Sequence, residues 1–245
     1  MSEHPSSFAD LAVFRPVRSG NAFEEAVERI LQAIKLGVVP TGERLPPERE
    51  LSARLGVSRM TLREAIRALQ QAGYVESRRG RFGGTFVAYR SSSAPHDPDA
   101  LAKVVAGMSS GMEDVLTYRW VLEVGAARAA AARTLTARDR EHLVTIQAEV
   151  ESSGEDTYRQ LDSRLHLAIA EITGSPSLAS ALADNRMRVN ELLDAIPLLR
   201  HNIEHSHSQH RAIVQAILSG NADQAGTAMA EHLEGTAALL RGFLS

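Results

Sequence analysis

A run of Ser, Pro and Asp without apolar periodicity, RSSSAPHDPD at residues 90–99, divides the chain into two parts. Apolar residues recur at helical spacing on both sides of this run, so we interpret it as a linker between two domains. The length of 245 residues agrees with that division, since a domain has about 100–200 residues. We expect an N-terminal extension over 1–20, a first domain over 21–89, and a second domain over 100–245.

The two parts differ in charge. Residues 1–90 contain 14 Lys and Arg against 10 Asp and Glu, whereas residues 91–245 contain 13 against 20. Within residues 44–81, nine Arg face four Glu. This asymmetry indicates one part that binds nucleic acid and one part with another role.

Composition excludes several classes of protein. A net charge of −3 with 44% hydrophobic residues is not that of a disordered chain. No apolar run approaches the ~18–20 residues of a membrane span, and the N-terminus lacks the pattern of a signal peptide. The absence of cysteine excludes disulfides, thiolate metal sites and thiol catalysis. We therefore expect a soluble cytoplasmic protein.

The first domain has the pattern of three helices followed by a β-hairpin. Apolar residues at helical spacing predict helices over 22–36, 48–55 and 59–72. Gly56 separates the second helix from the third, and Ser58 is a suitable N-cap for the third. Two short helices joined by a tight Gly-containing turn are typical of a helix-turn-helix. The alternating run YVESRRGRFGGTFVAY then predicts two short strands around a Gly-rich turn, which form a wing.

The third helix has an apolar face and a basic face. The apolar stripe consists of Leu62, Ala65, Ile66 and Leu69. Arg59, Arg63 and Arg67 recur beside it every four residues, where they can bond guanine edges or phosphates. The predicted tip of the wing adds Arg78, Arg79 and Arg81. The Arg row alone also fits a solvated helix surface, but the turn, the cap and the basic hairpin together favour DNA binding.

The run GERLPPERELSARLGVSRMTLREAIRALQQAGYVESRRGRFGGTFV, at residues 42–87, closely resembles the DNA-binding domain of the GntR superfamily of bacterial transcription regulators. The Gly-Arg-Gly-Thr wing motif of that family is extended here to Gly80-Arg81-Phe82-Gly83-Gly84-Thr85. The resemblance implies a winged helix-turn-helix whose DNA contacts come from Arg49, Ser58, Arg59, Thr61, Arg63, Arg79 and Gly80.

The second domain has almost no strand signal. Short breakers separate predicted helices at about 98–108, 111–133, 137–152, 155–173, 176–195, 201–219 and 222–243. Short loops between helices of this length predict an antiparallel bundle of six or seven helices. The chain as a whole is expected to be mainly α-helical, with the small two-stranded wing as its only sheet.

Four polar residues fall where this bundle should be apolar. Asp162 and His166 lie four apart on one helix, His210 begins the apolar run HRAIVQAIL, and His232 lies on the last helix. One carboxylate and three imidazoles can bind a divalent cation such as Zn, Ni, Mn or Fe. They are equally compatible with ordinary polar core residues and an i,i+4 contact. A second cluster competes as a ligand source: His201, His205 and His207.

Residues 98–240 are similar to the C-terminal effector-binding domain of the FadR branch of the superfamily. The matching motifs are Arg119-x-x-x-Glu123, Asp162-x-x-x-His166, His210-x-x-Ile213, and Met229-x-x-His232-Leu233. The resemblance implies a divalent metal, Zn, Ni or Mn, held by Asp162, His166, His210 and His232. It also implies that Arg119 binds an organic anion, although a surface salt bridge with Glu123 is the alternative.

These patterns together predict a homodimeric transcription regulator, a repressor rather than an enzyme. It would bind a pseudo-palindromic double-stranded operator, and a small carboxylate bound at the metal site would modulate its operator affinity. Two alternatives stay open: a metal-dependent enzyme that uses the Asp/His site, and a regulator whose metal is purely structural.

Overall fold

The structure is a computed structural model that describes residues 22–80, 83–89, 111–196 and 198–244. The N-terminal extension, the linker, the helix predicted over 98–108 and Arg81 lie outside the described residues. Those residues contain nine helices and one two-stranded sheet, so the predicted mainly helical fold with a small wing is confirmed. The boundaries of the two domains stay predictions.

The N-terminal elements form a winged helix-turn-helix. They are α1 (Ala22–Lys35), α2 (Glu48–Leu55), α3 (Arg59–Gln71), β1 (Val75–Arg78) and β2 (Gly84–Val87). Gly56 ends α2 with a left-handed φ of 66°, a conformation that only glycine adopts without strain. The Ser58 hydroxyl accepts a hydrogen bond from the Thr61 amide at 3.0 Å and so caps α3. The helix-turn-helix therefore forms at the predicted residues.

The apolar stripe of α3 lies in the core of this domain. Leu62 and Ala65 are fully buried and cluster with Ile30 and Ile34 of α1. The strands β1 and β2 pair antiparallel and contribute Val75 and Val87 to the same core. Because the buried face of α3 is fixed in this way, its arginine row is exposed to solvent.

The second domain is a helical bundle. Its elements are α4 (Met112–Ala131), α5 (Ala137–Glu151), α6 (Glu155–Ile172), α7 (Pro176–Asp194), α8 (Arg200–Leu218) and α9 (Ala222–Leu244). The central helix is α4, which packs against α6, α7, α8 and α9, while α5 packs against α6 and α8. None of the described helices combines the length and the apolar character needed to cross a membrane.

The two domains meet where α1 ends against α6. Leu36 is buried in the core of the bundle, and the Gln160 side-chain amide donates a hydrogen bond to the Ile34 carbonyl at 3.1 Å. Gly37 follows with a φ of 68°, and a Cβ at this position would lie 3.0 Å from the Gln160 Cβ. Close packing and a buried hydrogen bond therefore attach the winged helix-turn-helix domain to α6.

Candidate metal centre and DNA-binding surface

The four predicted metal ligands lie together in the centre of the bundle. Asp162 and His166 project from adjacent turns of α6, while α8 supplies His210 and α9 supplies His232. All four are buried, and one potential ligand atom from each lies within 4.8 Å of the others. His210 lies near the middle of α8, at the start of its apolar run.

The atoms that face one another are suited to a cation. Asp162 Oδ1 lies 3.2 Å from His210 Nε2 and 3.7 Å from His166 Nε2. The Nε2 atoms of His166 and His232 are buried and lack a hydrogen-bond partner among the described residues. Unpartnered buried nitrogens carry a free-energy cost that coordination would remove. This buried Asp/His group therefore fits a divalent metal.

Neighbouring residues orient two of the imidazoles. The Glu123 carboxylate contacts Nδ1 of His166, and the side chain of Gln209 lies 3.1 Å from Nδ1 of His232. Such partners fix the ring orientation and leave the other nitrogen for a metal. Glu123 and Gln209 therefore support the donor set without belonging to it.

Two arginines balance the two carboxylates. Arg119 Nε donates to Glu123 Oε1 at 3.0 Å, and both side chains are buried. The salt bridge given above as the alternative role of Arg119 is therefore present, but it is buried and does not lie on the surface. Arg186, which is fully buried, donates to Asp162 Oδ2. Nη1 of Arg119 has no hydrogen-bond partner among the described residues and is free for a further acceptor.

Sequence reasoning missed Arg186. The available signal was its position on α7, four residues after Leu182 and three before Val189, both of which are buried. An arginine on the core stripe of an amphipathic helix indicates a buried partner of opposite charge. That partner, Asp162, is on another helix and could not be identified from spacing within α7.

The balance of charges fixes the protonation of the cluster. Burial raises the pKa of Asp162, but Arg186 and His166 outweigh burial and hold it well below its ordinary value. Burial likewise raises the pKa of Glu123, and Arg119 and His166 reverse the shift. Burial lowers the pKa of His166 and His232. Both carboxylates are therefore ionised at neutral pH, and these two imidazoles are neutral and can bind a metal.

Acid should destabilise the metal-free protein. Unfolded histidine protonates near pH 6.5, whereas His166 and His232 stay neutral to lower pH in the folded state. Below about pH 6.5 the unfolded chain thus binds more protons, and the free energy of unfolding falls by up to about 1.4 kcal/mol per pH unit for each histidine. The loss steepens below about pH 4, where the unfolded carboxylates also protonate.

Melting curves of chelator-treated protein between pH 5 and 8 measure this effect. His232→Gln should flatten the profile between about pH 5 and 7. His205→Gln is the control, since His205 is exposed on α8 and should leave the profile unchanged. A wild-type melting temperature that rises on acidification would contradict the prediction.

A small cavity adjoins the cluster. Its volume is about 70 Å³, and Arg119, Asp162 and His232 line one part of it. Leu193, Ile196 and other apolar side chains line another part.

The competing histidine cluster has a different environment. His205 is exposed and His207 is half-buried beside Tyr158, with ring centroids 5.7 Å apart. Neither belongs to the buried ligand group found among the described residues. His201 lies in the first turn of α8, and its side chain is outside the described residues.

The predicted DNA contacts form an exposed surface around the N-terminus of α3. Arg59 is exposed at the first position of the helix, and Arg63 one turn later donates to Glu48 of α2 at 2.8 Å. Thr61 is half-buried, and its hydroxyl lies 2.8 Å from the hydroxyl of Ser58. Arg49 of α2 and the wing residues Arg79 and Gly80 are also exposed. Thus the surface has basic side chains from all three elements expected to contact DNA.

Met60 is a further residue of this surface, and sequence reasoning missed it. Its side chain is 71% exposed, between Arg59 and Thr61 on the first turn of α3. An exposed methionine at the start of a basic helix is poorly placed for the protein core. It is well placed for an apolar contact such as that with a thymine methyl group.

Comparisons with known proteins match both parts of the chain to known families. Residues 22–87 match the family described as "Bacterial regulatory proteins, gntR family", and residues 114–235 match the FCD domain. An Escherichia coli K12 protein, whose name assigns it to regulation of the L-lactate dehydrogenase operon, is 31% identical over 86% of this chain and 83% of its own length. The transcriptional repressor NanR of Salmonella arizonae is 29% identical over 94% of this chain and 88% of its own length. The solved structure of E. coli McbR/YncC aligns with 91% of this chain and 98% of its own chain, with a TM-score of 0.53 and 16% identity. At this identity the likeness concerns the fold alone.

Proposed function

The chain belongs to the GntR family of bacterial transcription regulators, with an effector-binding FCD domain, and on this basis we propose that it is a homodimeric repressor controlled by a small carboxylate. Its relatives are transcription regulators, so the prediction of a regulator rather than an enzyme is confirmed. A protein that binds operator DNA acts where that DNA lies, and we place this one in the cytoplasm.

Operator recognition is assigned to the exposed surface around α3. Arg59 and Arg63 enter the major groove of one half-site, and Arg79 and Gly80 contact the DNA backbone or minor groove beside it. A homodimer presents two copies of this surface, so its operator is pseudo-palindromic. The repressor role is supported by the name of the relative NanR.

The charge balance of the buried cluster supports an anionic effector. Glu123 and Asp162 carry two negative charges, and Arg119 and Arg186 carry two positive charges, all buried. These four charges cancel. Because imidazoles bind a metal in their neutral form, a divalent metal held by Asp162, His166, His210 and His232 would add two positive charges. Such an excess in a low-dielectric interior favours an anion. The metal would act as a Lewis acid for one carboxylate oxygen, while Arg119 Nη1 donates to another.

Thermal stabilisation by 2-hydroxycarboxylates tests this site. L-lactate is the first probe, because a relative is named for an L-lactate dehydrogenase operon, and lactamide is its neutral control. At 100 times its dissociation constant a ligand stabilises the folded state by about 2.7 kcal/mol. We expect stabilisation of metal-loaded wild type by the carboxylate, and much weaker stabilisation of chelated protein or of Arg119→Gln. Release of operator DNA at the same concentrations would complete the evidence.

Two outcomes would contradict this effector site. Equal stabilisation with and without metal would place the ligand elsewhere. Operator binding insensitive to every carboxylate tested, together with a melting temperature that falls sharply on chelation, would favour a purely structural metal.

Met60 is expected to read a thymine methyl group. Replacing the contacted thymine by uracil removes one methyl, worth about 0.8 kcal/mol or roughly a fourfold loss of affinity. Wild type should lose affinity on this replacement, whereas Met60→Ala should bind both duplexes equally. The operator for this measurement comes from rounds of selection from random DNA. Gln71→Ala, at the exposed end of the same helix, is the control and should behave as wild type.

A further inference from the structure

Asn190 of α7 has an unpaired acceptor beside the metal centre. Its half-buried side chain lines the small cavity together with Arg119, Asp162 and His232. The Oδ1 atom of Asn190 is buried and has no hydrogen-bond partner among the described residues. A buried acceptor without a donor carries a free-energy cost. This atom therefore indicates a hydrogen-bond donor that comes from a bound molecule.

The hydrogen bonds of Ser163 fix the direction of the Asn190 amide. The fully buried Ser163 hydroxyl donates its one hydrogen to the Arg159 carbonyl at 2.8 Å. The same hydroxyl oxygen accepts from Nη2 of Arg186 at 3.2 Å and from Nδ2 of Asn190 at 3.0 Å, which fills its two acceptor positions. With the amide reversed, Oδ1 would face a hydroxyl that has no hydrogen left to donate. Asn190 therefore directs its NH₂ group at Ser163, and its Oδ1 stays unpaired.

The same network joins Asn190 to the metal centre. Arg186 donates both to Ser163 and to Oδ2 of Asp162, while Oδ1 of Asp162 faces the histidines. Two fully buried side chains, Ser163 and Arg186, thus lie between Asn190 and a predicted metal ligand. This linkage holds the free acceptor of Asn190 at a fixed position relative to the metal centre.

The charges around the cavity favour a neutral donor over an ammonium group. Two arginines, Arg119 and Arg159, line the cavity. A divalent metal would add two positive charges, and a bound carboxylate offsets only one of them. An ammonium group would increase this excess of positive charge in a low-dielectric interior. A hydroxyl group donates one hydrogen bond without adding charge.

We propose that Asn190 selects a hydroxyl group on the effector, with Oδ1 accepting the hydroxyl hydrogen. The effector class thereby narrows from carboxylates to hydroxycarboxylates. The hydroxyl oxygen keeps its lone pairs in this arrangement, so the same group can also bind the metal. The inference rests on the carboxylate site proposed above and adds a specificity-determining residue to it.

Isothermal titration of zinc-incubated protein with L-lactate and with propionate, which lacks the hydroxyl group, tests this role. Because a hydroxyl group that binds the metal also favours L-lactate, the informative quantity is the change in preference between variants. We expect Asn190→Ala to lower the preference for L-lactate over propionate by roughly fivefold, the equivalent of one neutral hydrogen bond. Asn202→Ala removes another amide from the cavity wall and is the matched control, which should keep the wild-type preference.

Asn190→Asp provides a second measurement that a folding defect cannot imitate. The new carboxylate keeps the size of the amide and adds a negative charge that can pair with an ammonium group. L-alanine has an ammonium group in place of the hydroxyl of L-lactate. Its affinity relative to that of L-lactate should therefore rise by roughly fivefold or more in Asn190→Asp.

The possible failures are distinguishable. A preference for L-lactate that is unchanged in Asn190→Ala, or is lost in Asn202→Ala instead, would overturn the role of Asn190 and leave the carboxylate site in place. An unchanged ratio of L-alanine to L-lactate affinity in Asn190→Asp would do the same. If zinc-incubated wild type binds neither L-lactate nor propionate, both this inference and the proposed effector site are wrong.

Discussion

Arg59→Ala is expected to abolish specific operator binding while leaving the fold intact. Arg59 is exposed at the first position of α3, where a bidentate guanine contact discriminates by about 1–3 kcal/mol. A dimer makes this contact in each of two half-sites, so losing both contacts should cost about 2–6 kcal/mol of binding free energy. That cost is a loss of affinity on the order of 30-fold to 10⁴-fold. Fluorescence anisotropy with a selected operator duplex, beside an unrelated duplex, measures both affinity and specificity.

A charge-matched variant makes the result interpretable. Arg138→Ala removes one exposed positive charge from α5, far along the chain from α3, and should bind DNA as wild type does. The salt dependence separates the two kinds of contact, since loss of a phosphate contact lowers the slope by about 0.9. Undiminished specific binding by Arg59→Ala would remove α3 from its assigned role.

His210→Ala is expected to lose the metal. His210 is buried, and its Nε2 lies 3.2 Å from Asp162 Oδ1, so its removal takes one of four donors. Changing a residue that only orients a ligand already costs about 10–100-fold in metal affinity, so removing a ligand should cost more. Elemental analysis of purified protein after incubation with Zn, Ni and Mn should give about one metal per subunit in wild type and almost none in the variant.

His205→Ala is the matched control for this measurement. His205 lies on the same helix but is exposed, and its loss should leave the metal content unchanged. Metal-dependent thermal stabilisation gives an independent readout that should vanish only in His210→Ala. No metal in wild type, or equal metal in both variants, would reduce the four residues to polar groups of the core.

The fold could be predicted because its signals are local. Helix periodicity, the Gly56 turn and the Ser58 cap depend on residues close together in the sequence, and the structure has each of them. The i,i+4 spacing of Asp162 and His166 likewise predicts a shared helix face. Such signals require no knowledge of which helices are neighbours.

The parts of the site that sequence reasoning missed depend on tertiary packing. The pairing of Arg186 with Asp162 joins α7 to α6, and the contact of Glu123 with His166 joins α4 to α6. No spacing within one helix encodes these contacts.

The contact between Gln160 and the Ile34 carbonyl limits how such proteins can be recombined. Gln160 lies only two residues before Asp162 on α6. One turn of this helix therefore contacts α1 at the domain junction and also contributes a residue to the buried Asp/His cluster. A chimera that joins this winged helix to a foreign bundle would have to import a compatible α6 surface as well as a linker. If evolution has exchanged helical bundles between such proteins, we expect the C-terminal end of α1 and the α6 surface that contacts it to have been kept together or replaced together.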